Sequence, residues 1–465
     1  MDPRFAPHNT HLEDPASFAT LDPQLRALSR QPLVHRFGVL DRVPTSVPGV
    51  YSITGGRQVG KTTVTKQWMA ELLDSGVRPE RIAYLTGELI DDHHALVQII
   101  TDVLRQPARG RRYIVLDEVT YVRDWDKGVK YLADAGMLES TILLLTGSDS
   151  VLIRDARSRM PGRRGRSQTV DFHLFPLSFH DYVVLADVVP SSSISSLVEA
   201  DETIDADVAE ALHAAFESYL AHGGYLMAIN DVARDGTIQT STFATYSDWV
   251  RGDVLKRGKH ERYLKEVLES VVRREGSQVT WNALAKELSI DHPMTVADYV
   301  GLLERMDVLT VRPALREHTL SPAPKKARKV GFSDPFIRHA LSSWLQPSDD
   351  PWSQHVTSAV EDPDVAGVLV ESCAASHFAR HYPTYYIKGA GEVDIAYVEG
   401  KRFHPIEVKW AGQVRPGDLK QLSKYSHGVV ATRLGARGSL MGVRSEMVPL
   451  LLLRLGPSPV SLVER

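Results

Sequence analysis

Between residues 50 and 148, short apolar runs alternate with stretches whose apolar residues recur at helical spacing. VYSIT, RIAYLT, RYIVLD and TILLLTGS read as strands, and 62–74, 92–104 and 127–135 as the helices between them. That alternation predicts a parallel, helix-covered sheet. A stretch with clustered serines and repeated Asp and Val, 184–205, reads as a boundary loop, with helices beyond it over 208–229 and 247–257. From 259 the character changes: HERYLKEVLESVVRR, TWNALAKEL and MTVADYVGLLERM are helical in period and precede VLTVRPAL and the basic run PKKARKVGFS. Three helices and then a β-hairpin is the order of a winged helix. Further on the pattern predicts a helix over 365–380, strands TYYIKG, EVDIAYV and FHPIEVKW, a helix over 417–425, and strands GVVATR and VPLLLLR. Residues 1–45, rich in Pro, His and Asp, read as a loose arm with one helix around 23–29.

Composition narrows the class. The 465 residues are 43% hydrophobic and 24% charged, globular values, and at roughly 150 residues per domain they suggest about three domains. With 54 Lys and Arg against 58 Asp and Glu the net charge is −4, so any affinity for nucleic acid is expected to be local. A solitary Cys373 excludes an internal disulfide and fits a reducing cytoplasm. The longest apolar stretches, 141–145 and 448–453, fall far short of the ~20 residues of a membrane helix. The N-terminal MDPRFAPHNTHLEDP lacks the basic and then apolar run of a signal peptide.

The sharpest motif is Gly55-Gly56-Arg57-Gln58-Val59-Gly60-Lys61-Thr62, followed by Thr63, between the strand VYSIT and a helix. It fits G-x-x-x-x-G-K-[ST] in the strand–loop–helix setting that a phosphate cradle needs. Glycines let successive amides face the phosphates, the helix N-terminus adds to their field, Lys61 is expected at the β- and γ-phosphates, and Thr62 on Mg²⁺. Tyr113-Ile114-Val115-Leu116-Asp117-Glu118 is a strand ending in two acids: Asp117 suits the Mg²⁺ shell, and Glu118 suits polarising the attacking water. Thr146 and Ser148 end TILLLTGS and would lie near the γ-phosphate if that strand sits between the other two. Arg163 and Arg164, in PGRRGR, are either fingers for a neighbouring subunit's nucleotide or solvated surface charge.

GGRQVGKTT, LDEVTYVRDWDKGVKYLAD, TGSDS, PGRRGR followed by FPLSFHDY, and HGGYL together resemble the hallmarks of prokaryotic AAA+-like P-loop ATPases with a C-terminal domain of uncharacterised function and restriction-endonuclease-like fold. The similarity runs over about 34–433. It implies a P-loop ATPase core of five parallel strands, a helical lid, a winged helix and the terminal domain; together with the arm read from the pattern, the expectation is an α/β chain of arm (1–45), core (46–190), lid (191–258), winged helix (259–345) and nuclease-like domain (346–465), with ATP and Mg²⁺ as ligands.

In that last segment, Asp394, Glu407 and Lys409 form D-x₁₂-E-x-K across a hairpin turning at Glu399-Gly400. Period two puts Glu407 and Lys409 on one face, and pairing brings Asp394 beside them. Two carboxylates can hold Mg²⁺, with Glu371 completing the shell, while Lys409 orients or deprotonates water; the spacing looks like the PD-(D/E)xK nuclease motif. The fold can also serve as a binding module. For DNA, the expected phosphate contacts are Lys325, Lys326, Arg328 and Lys329 in the wing, and Arg251, Lys256, Arg257 and Lys259 before the module, with Thr295 and Asp298 on the recognition helix. His93-His94 has no second pair at ligand spacing, and Cys373 reads as a small buried hydrophobe. The expectation is Mg²⁺-dependent ATP hydrolysis coupled to DNA binding and cleavage, in a chain able to self-associate through its ATPase segment. The rival is a nucleotide-dependent switch or scaffold with a non-catalytic terminal domain.

Overall fold

β1 (Gly49–Thr54), β2 (Ile82–Thr86), β3 (Arg112–Asp117) and β4 (Thr141–Gly147) are buried at every position, as strands covered on both faces must be. With β5 (Asp171–His173) they form a parallel sheet of order β2-β3-β4-β1-β5. β4 thus lies between β1 and β3. This is a computed structural model, and it describes residues 2–148, 167, 169–199, 204–411, 413–434 and 438–463. The chain divides into two compact units, Met1–Phe175 and Pro176–Arg465.

In the first unit α1 (Phe18–Leu21) and α2 (Pro23–Leu28) precede the sheet, and α3 (Lys61–Asp74), α4 (His93–Arg105) and α5 (Trp125–Asp134) connect its strands. The α4 segment shows why: Asp92 accepts from the His94 and Ala95 amides, and Leu96, Ile99, Ile100 and Val103 recur on one buried face. Each such side chain stabilises the fold by about 1.5–3 kcal/mol on burial.

The first 45 residues are not a loose arm. Asn9 exchanges two hydrogen bonds with the backbone of Tyr84, at 2.8 and 2.7 Å, and His11 bonds the Ile82 carbonyl at 3.1 Å. Asp22 and Lys66, each 1% exposed, pair at 2.9 Å. Scattered polar residues hid this, because each finds its partner tens of positions away.

The second unit begins with helices α6 (Phe179–Leu185), α7 (Ser191–Glu199), α8 (Ala206–His222), α9 (Leu226–Asp235) and α10 (Thr240–Lys256). The expected loop over 184–205 therefore contains a helix, and the expected helix over 208–229 breaks at Gly223-Gly224. That break is a packing requirement. A Cβ on Gly223 would lie 2.0 Å from Asp334 Oδ1, and one on Gly224 2.2 Å from the Leu177 carbonyl oxygen. Gly224 donates to Asp334 Oδ2 at 2.8 Å, and the Leu177 amide donates to the Gly224 carbonyl at 2.8 Å. PLSF and HGGYL are thus two sides of one joint.

Then come α11 (Glu261–Arg274), β6 (Gln278–Val279), α12 (Trp281–Glu287), α13 (Pro293–Arg305), β7 (Leu309–Pro313), the short pair β8 (Leu315–Arg316) and β9 (Ser321–Pro322), and β10 (Arg328–Phe332). β6, β10 and β7 form an antiparallel sheet in that order. Helices α14 (Pro335–Leu345), α15 (Ser358–Glu361) and α16 (Pro363–His381) lead into β11 (Thr384–Lys388), β12 (Glu392–Glu399), β13 (Arg402–Lys409), β14 (Val429–Thr432), β15 (Gly438–Leu440) and β16 (Val443–Met447), a mixed sheet of order β11-β12-β13-β14-β16-β15. VPLLLLR, expected as a strand, is the helix α17 (Val448–Leu455) with proline in its first turn. A short apolar run has no period of its own to decide the matter. Residues 417–425 make two 3₁₀ turns, Pro416–Leu419 and Leu422–Lys424, rather than one α-helix.

Candidate functional site

The loop between β1 and α3 is shaped by its glycines: φ is 148° at Gly55 and 110° at Gly60, backbone that side chains disfavour. A Cβ on Gly55 would stand 2.4 Å from the Leu174 carbonyl oxygen, beside the end of β5. Gly56 and Val59 are buried, Gln58 is exposed, and Arg57 donates to the Tyr121 hydroxyl at 3.0 Å. Gly60 precedes α3 and caps it with no side chain of its own, and a helix start is the kind of place where an anion binds. Lys61 and Thr62 open that helix, and Thr63 follows, half-buried.

The Lys61 ammonium donates to the Gly55 and Gly56 carbonyls at 3.0 and 2.9 Å and to the Ser148 hydroxyl at 3.2 Å. Thr62 donates to Asp117 Oδ2 at 2.8 Å, and the Tyr84 hydroxyl to the same oxygen at 2.5 Å. Burial and the adjoining carboxylate hold the Tyr84 phenol well above its ordinary range, so it stays a donor. Thr146 donates to Asp117 Oδ1 and accepts from the Glu118 amide at 2.9 Å, tying β4 to the end of β3. Glu118 sits at φ 50°, and the space of a Cβ on Gly87 is filled by the Glu118 carbonyl oxygen at 2.4 Å. Ser148 donates to Glu118 Oε1 at 2.8 Å, while Glu118 Oε2 is buried without a hydrogen-bond partner among the described residues. A hydroxyl, a carboxylate and an orphaned carboxylate oxygen beside a glycine cradle are hard oxygen donors, and they fit Mg²⁺. Arg163 and Arg164 lie outside the described residues. Tyr84 was missed because a strand tyrosine carries no mark of what its hydroxyl meets.

The second group of predicted residues lies in the second unit. Lys409 Nζ pairs with Glu407 Oε1 at 2.7 Å, and Asp394 Oδ2 accepts from the Val408 amide at 3.0 Å. Glu371, on α16, faces two cations instead of a metal. Lys329 Nζ lies 3.0 Å from Glu371 Oε1 and 3.0 Å from Asp394 Oδ1, and also pairs with Glu392. Arg312 donates to Glu371 Oε1 and to the Asp394 carbonyl, both at 2.8 Å. Lys329, expected on an exposed wing to touch phosphate, is 1% exposed, and Arg312 is 2% exposed. Lys329 and Arg312 are cross-strand partners in register on β10 and β7. Two cations so placed repel, and burial is tolerable only with carboxylates between them.

The electrostatics follow. Burial opposes the Lys329 charge, but Asp394 and Glu371 outweigh it and hold the ammonium above the usual lysine range. Burial pulls Asp394 upward, but Lys329 and Lys409 prevail and keep it low. Burial and Asp394 push Glu407 up to about 8. Among the described residues no three His, Cys, Asp or Glu side chains form a metal-holding group. The expected shell of Glu371, Asp394 and Glu407 therefore does not fit a divalent ion in this arrangement, because an ammonium stands among its oxygens. A strand arginine between apolar neighbours, Val311-Arg312-Pro313, was the available signal for the missed partner.

Of the other expected phosphate contacts, Lys325 and Lys326 are exposed and line a groove of about 490 Å³ with Arg316, Glu317, His318 and Lys388. Arg328 lies over the Trp281 ring at 4.4 Å. Arg251 pairs with Asp248 and Glu261, at 2.8 and 2.6 Å, and Lys259 with Asp298. Those pairs neutralise residues expected to meet DNA. Cys373 is buried, and no helix among the described residues is long and apolar enough to cross a membrane.

A family model described as an AAA domain matches residues 48–183, and one described as a domain of unknown function, DUF8612, matches 213–348. Neither reaches the terminal carboxylates. An uncharacterised protein of Haemophilus influenzae is 24% identical over 264 residues, 54% of this chain; the match spans 59% of that relative, less than two thirds of its length. Among solved structures, a Walker-type ATPase of Pyrococcus abyssi aligns with TM-score 0.42 at 13% identity, covering 65% of this chain and 93% of that one. The ORC2 protein of Aeropyrum pernix aligns with TM-score 0.38 at 12% identity, covering 68% and 95%. The glycine loop, the acid pair and the five strands of the parallel sheet all fall within the segment that the AAA-domain model matches, and that segment of the chain is similar to an AAA domain.

Proposed function

We propose that the chain is an Mg²⁺-dependent ATP hydrolase whose second unit binds DNA. One observation carries the catalytic half: Lys61, Thr62, Asp117, Glu118 and Ser148 meet at the ends of adjacent parallel strands beside a side-chain-free helix start. Bound Mg²⁺ would be held by Thr62 and Asp117 and would neutralise charge on the β- and γ-phosphates. The amides of 55–63 bind the phosphates, and Lys61 turns from its loop carbonyls toward them. Ser148 positions Glu118, which orients water and accepts its proton.

DNA binding is supported by the groove that Lys325, Lys326, Arg316 and Lys388 share, where exposed cations can displace the counterions of a duplex. In this reading 191–258 is a lid, 259–345 a winged helix and 346–465 a nuclease-like domain; Arg163 and Arg164 serve a neighbouring copy. For the terminal domain a second reading is favoured by the buried Lys329: it binds without cutting, and nucleotide state switches the chain.

The test is steady-state ATP turnover. Lys61→Ala should abolish it. Glu118→Gln should keep nucleotide binding while slowing hydrolysis by roughly 10²–10⁴-fold. Unchanged turnover in both variants would remove the enzymatic reading.

A further inference from the structure

We infer that Lys329 is this chain's own substitute for a divalent cation, its ammonium closing the Glu371–Asp394–Glu407–Lys409 cluster to metal. A cation in a carboxylate site needs several oxygens at close range, and Lys329 has them from three separate acids: Glu371, Glu392 and Asp394. Those acids come from α16 and β12, whereas Lys329 comes from β10, in a different sheet. The ammonium is therefore delivered into the cluster by a neighbouring module. Arg312, opposite it in register, holds Glu371 Oε1 and the Asp394 carbonyl, so it fixes the two elements that a metal would have to bridge.

An independent observation marks the space as a cation site rather than a plain ion pair. Glu407 is 5% exposed, and its Oε2 is buried with no hydrogen-bond partner among the described residues. Lys409 takes only the other oxygen. A buried carboxyl oxygen left without a donor needs a proton or a cation beside it. The cluster thus has one acceptor more than its internal cations serve.

The inference deepens the reading of a non-cutting terminal domain, and its test uses metal binding, which neither ATP turnover nor DNA affinity enters. Mn²⁺ is titrated into the full chain without nucleotide and followed by electron paramagnetic resonance. Wild type should bind no Mn²⁺ that depends on Asp394. Lys329→Met, which keeps the stem and removes the charge, should gain one Mn²⁺ per chain with a dissociation constant on the order of 10⁻⁴ M, and adding Asp394→Asn should abolish it. Wild-type binding lost on Asp394→Asn would overturn the proposal, as would a folded Lys329→Met that gains no Mn²⁺. If Lys329→Met is unfolded alone, recovery of its native circular dichroism with millimolar Mn²⁺ supports the proposal. Failure to recover overturns it.

Discussion

The nucleotide loop and the terminal carboxylate cluster use the same materials to opposite ends. Each sets acids from strands beside a buried lysine. Around Asp117 the partners are hydroxyls, from Thr62, Tyr84 and Thr146, and Lys61 rests largely on main-chain carbonyls. Around Asp394 and Glu371 the partners are an ammonium and a guanidinium. Neutral donors leave the carboxylate's charge available to an incoming cation, while charged donors consume it. One site is therefore poised to receive, and the other is already satisfied.

Stability measurements can break this contrast. Lys329→Met leaves three acids without their shared cation and should cost about 3–5 kcal/mol in denaturant unfolding. Lys61→Met removes bonds to two carbonyls and a hydroxyl and a longer pairing with Glu118 at 3.9 Å, and should cost about 1–2 kcal/mol. Equal losses would end the distinction.

Asp334 supplies an intermediate case, a buried acid held by the amides of Gly224 and Phe336 at 2.8 and 2.9 Å. Burial pushes it from 3.8 up to about 6, the amides and Arg380 offsetting only part. Its contribution to stability is then full below about pH 4 and lost as pH rises through about 6. Asp334→Asn should remove a loss of about 3 kcal/mol between those values, since asparagine does not titrate, although its single carbonyl oxygen keeps only one of the two amide bonds. Asp394, held low, behaves the other way, and its contribution fades only as pH falls below the usual carboxylate range. An unchanged pH profile in Asp334→Asn would show that amides alone suffice for a buried charge.

The smallest effect on the fold belongs to exposed lysines. Lys325→Glu with Lys326→Glu should leave stability within about 0.5 kcal/mol, as surface changes do. Fluorescence anisotropy should show weaker duplex binding, and the dependence of log affinity on log salt should flatten by about 0.9 for each phosphate no longer neutralised. Binding that ignores both charges would place the DNA surface elsewhere.

How much of this was legible depended on distance along the chain. Gly55 to Thr62 and Asp117-Glu118 announce themselves because strand, loop and helix are contiguous, and the parallel sheet followed from apolar runs of the right length. The D-x₁₂-E-x-K hairpin was readable for the same reason. Its neutralisation was not: Lys329 sits 65 positions from Asp394 and 42 from Glu371, and a basic run reads as solvated until its partners are known. Val448–Leu455 failed differently, since the six-residue apolar run that opens it fits strand or helix until β16 takes the sheet position ahead of it.

Asn9 and His11 have a practical consequence. β2 is the outermost strand on its side of the parallel sheet, and these two side chains occupy its free amide and carbonyls at Tyr84 and Ile82. They imitate a neighbouring strand without being one. A chain trimmed to start at the first recognisable motif would lose that cover and offer bare hydrogen-bonding groups to other molecules, inviting aggregation before any catalytic measurement could be made.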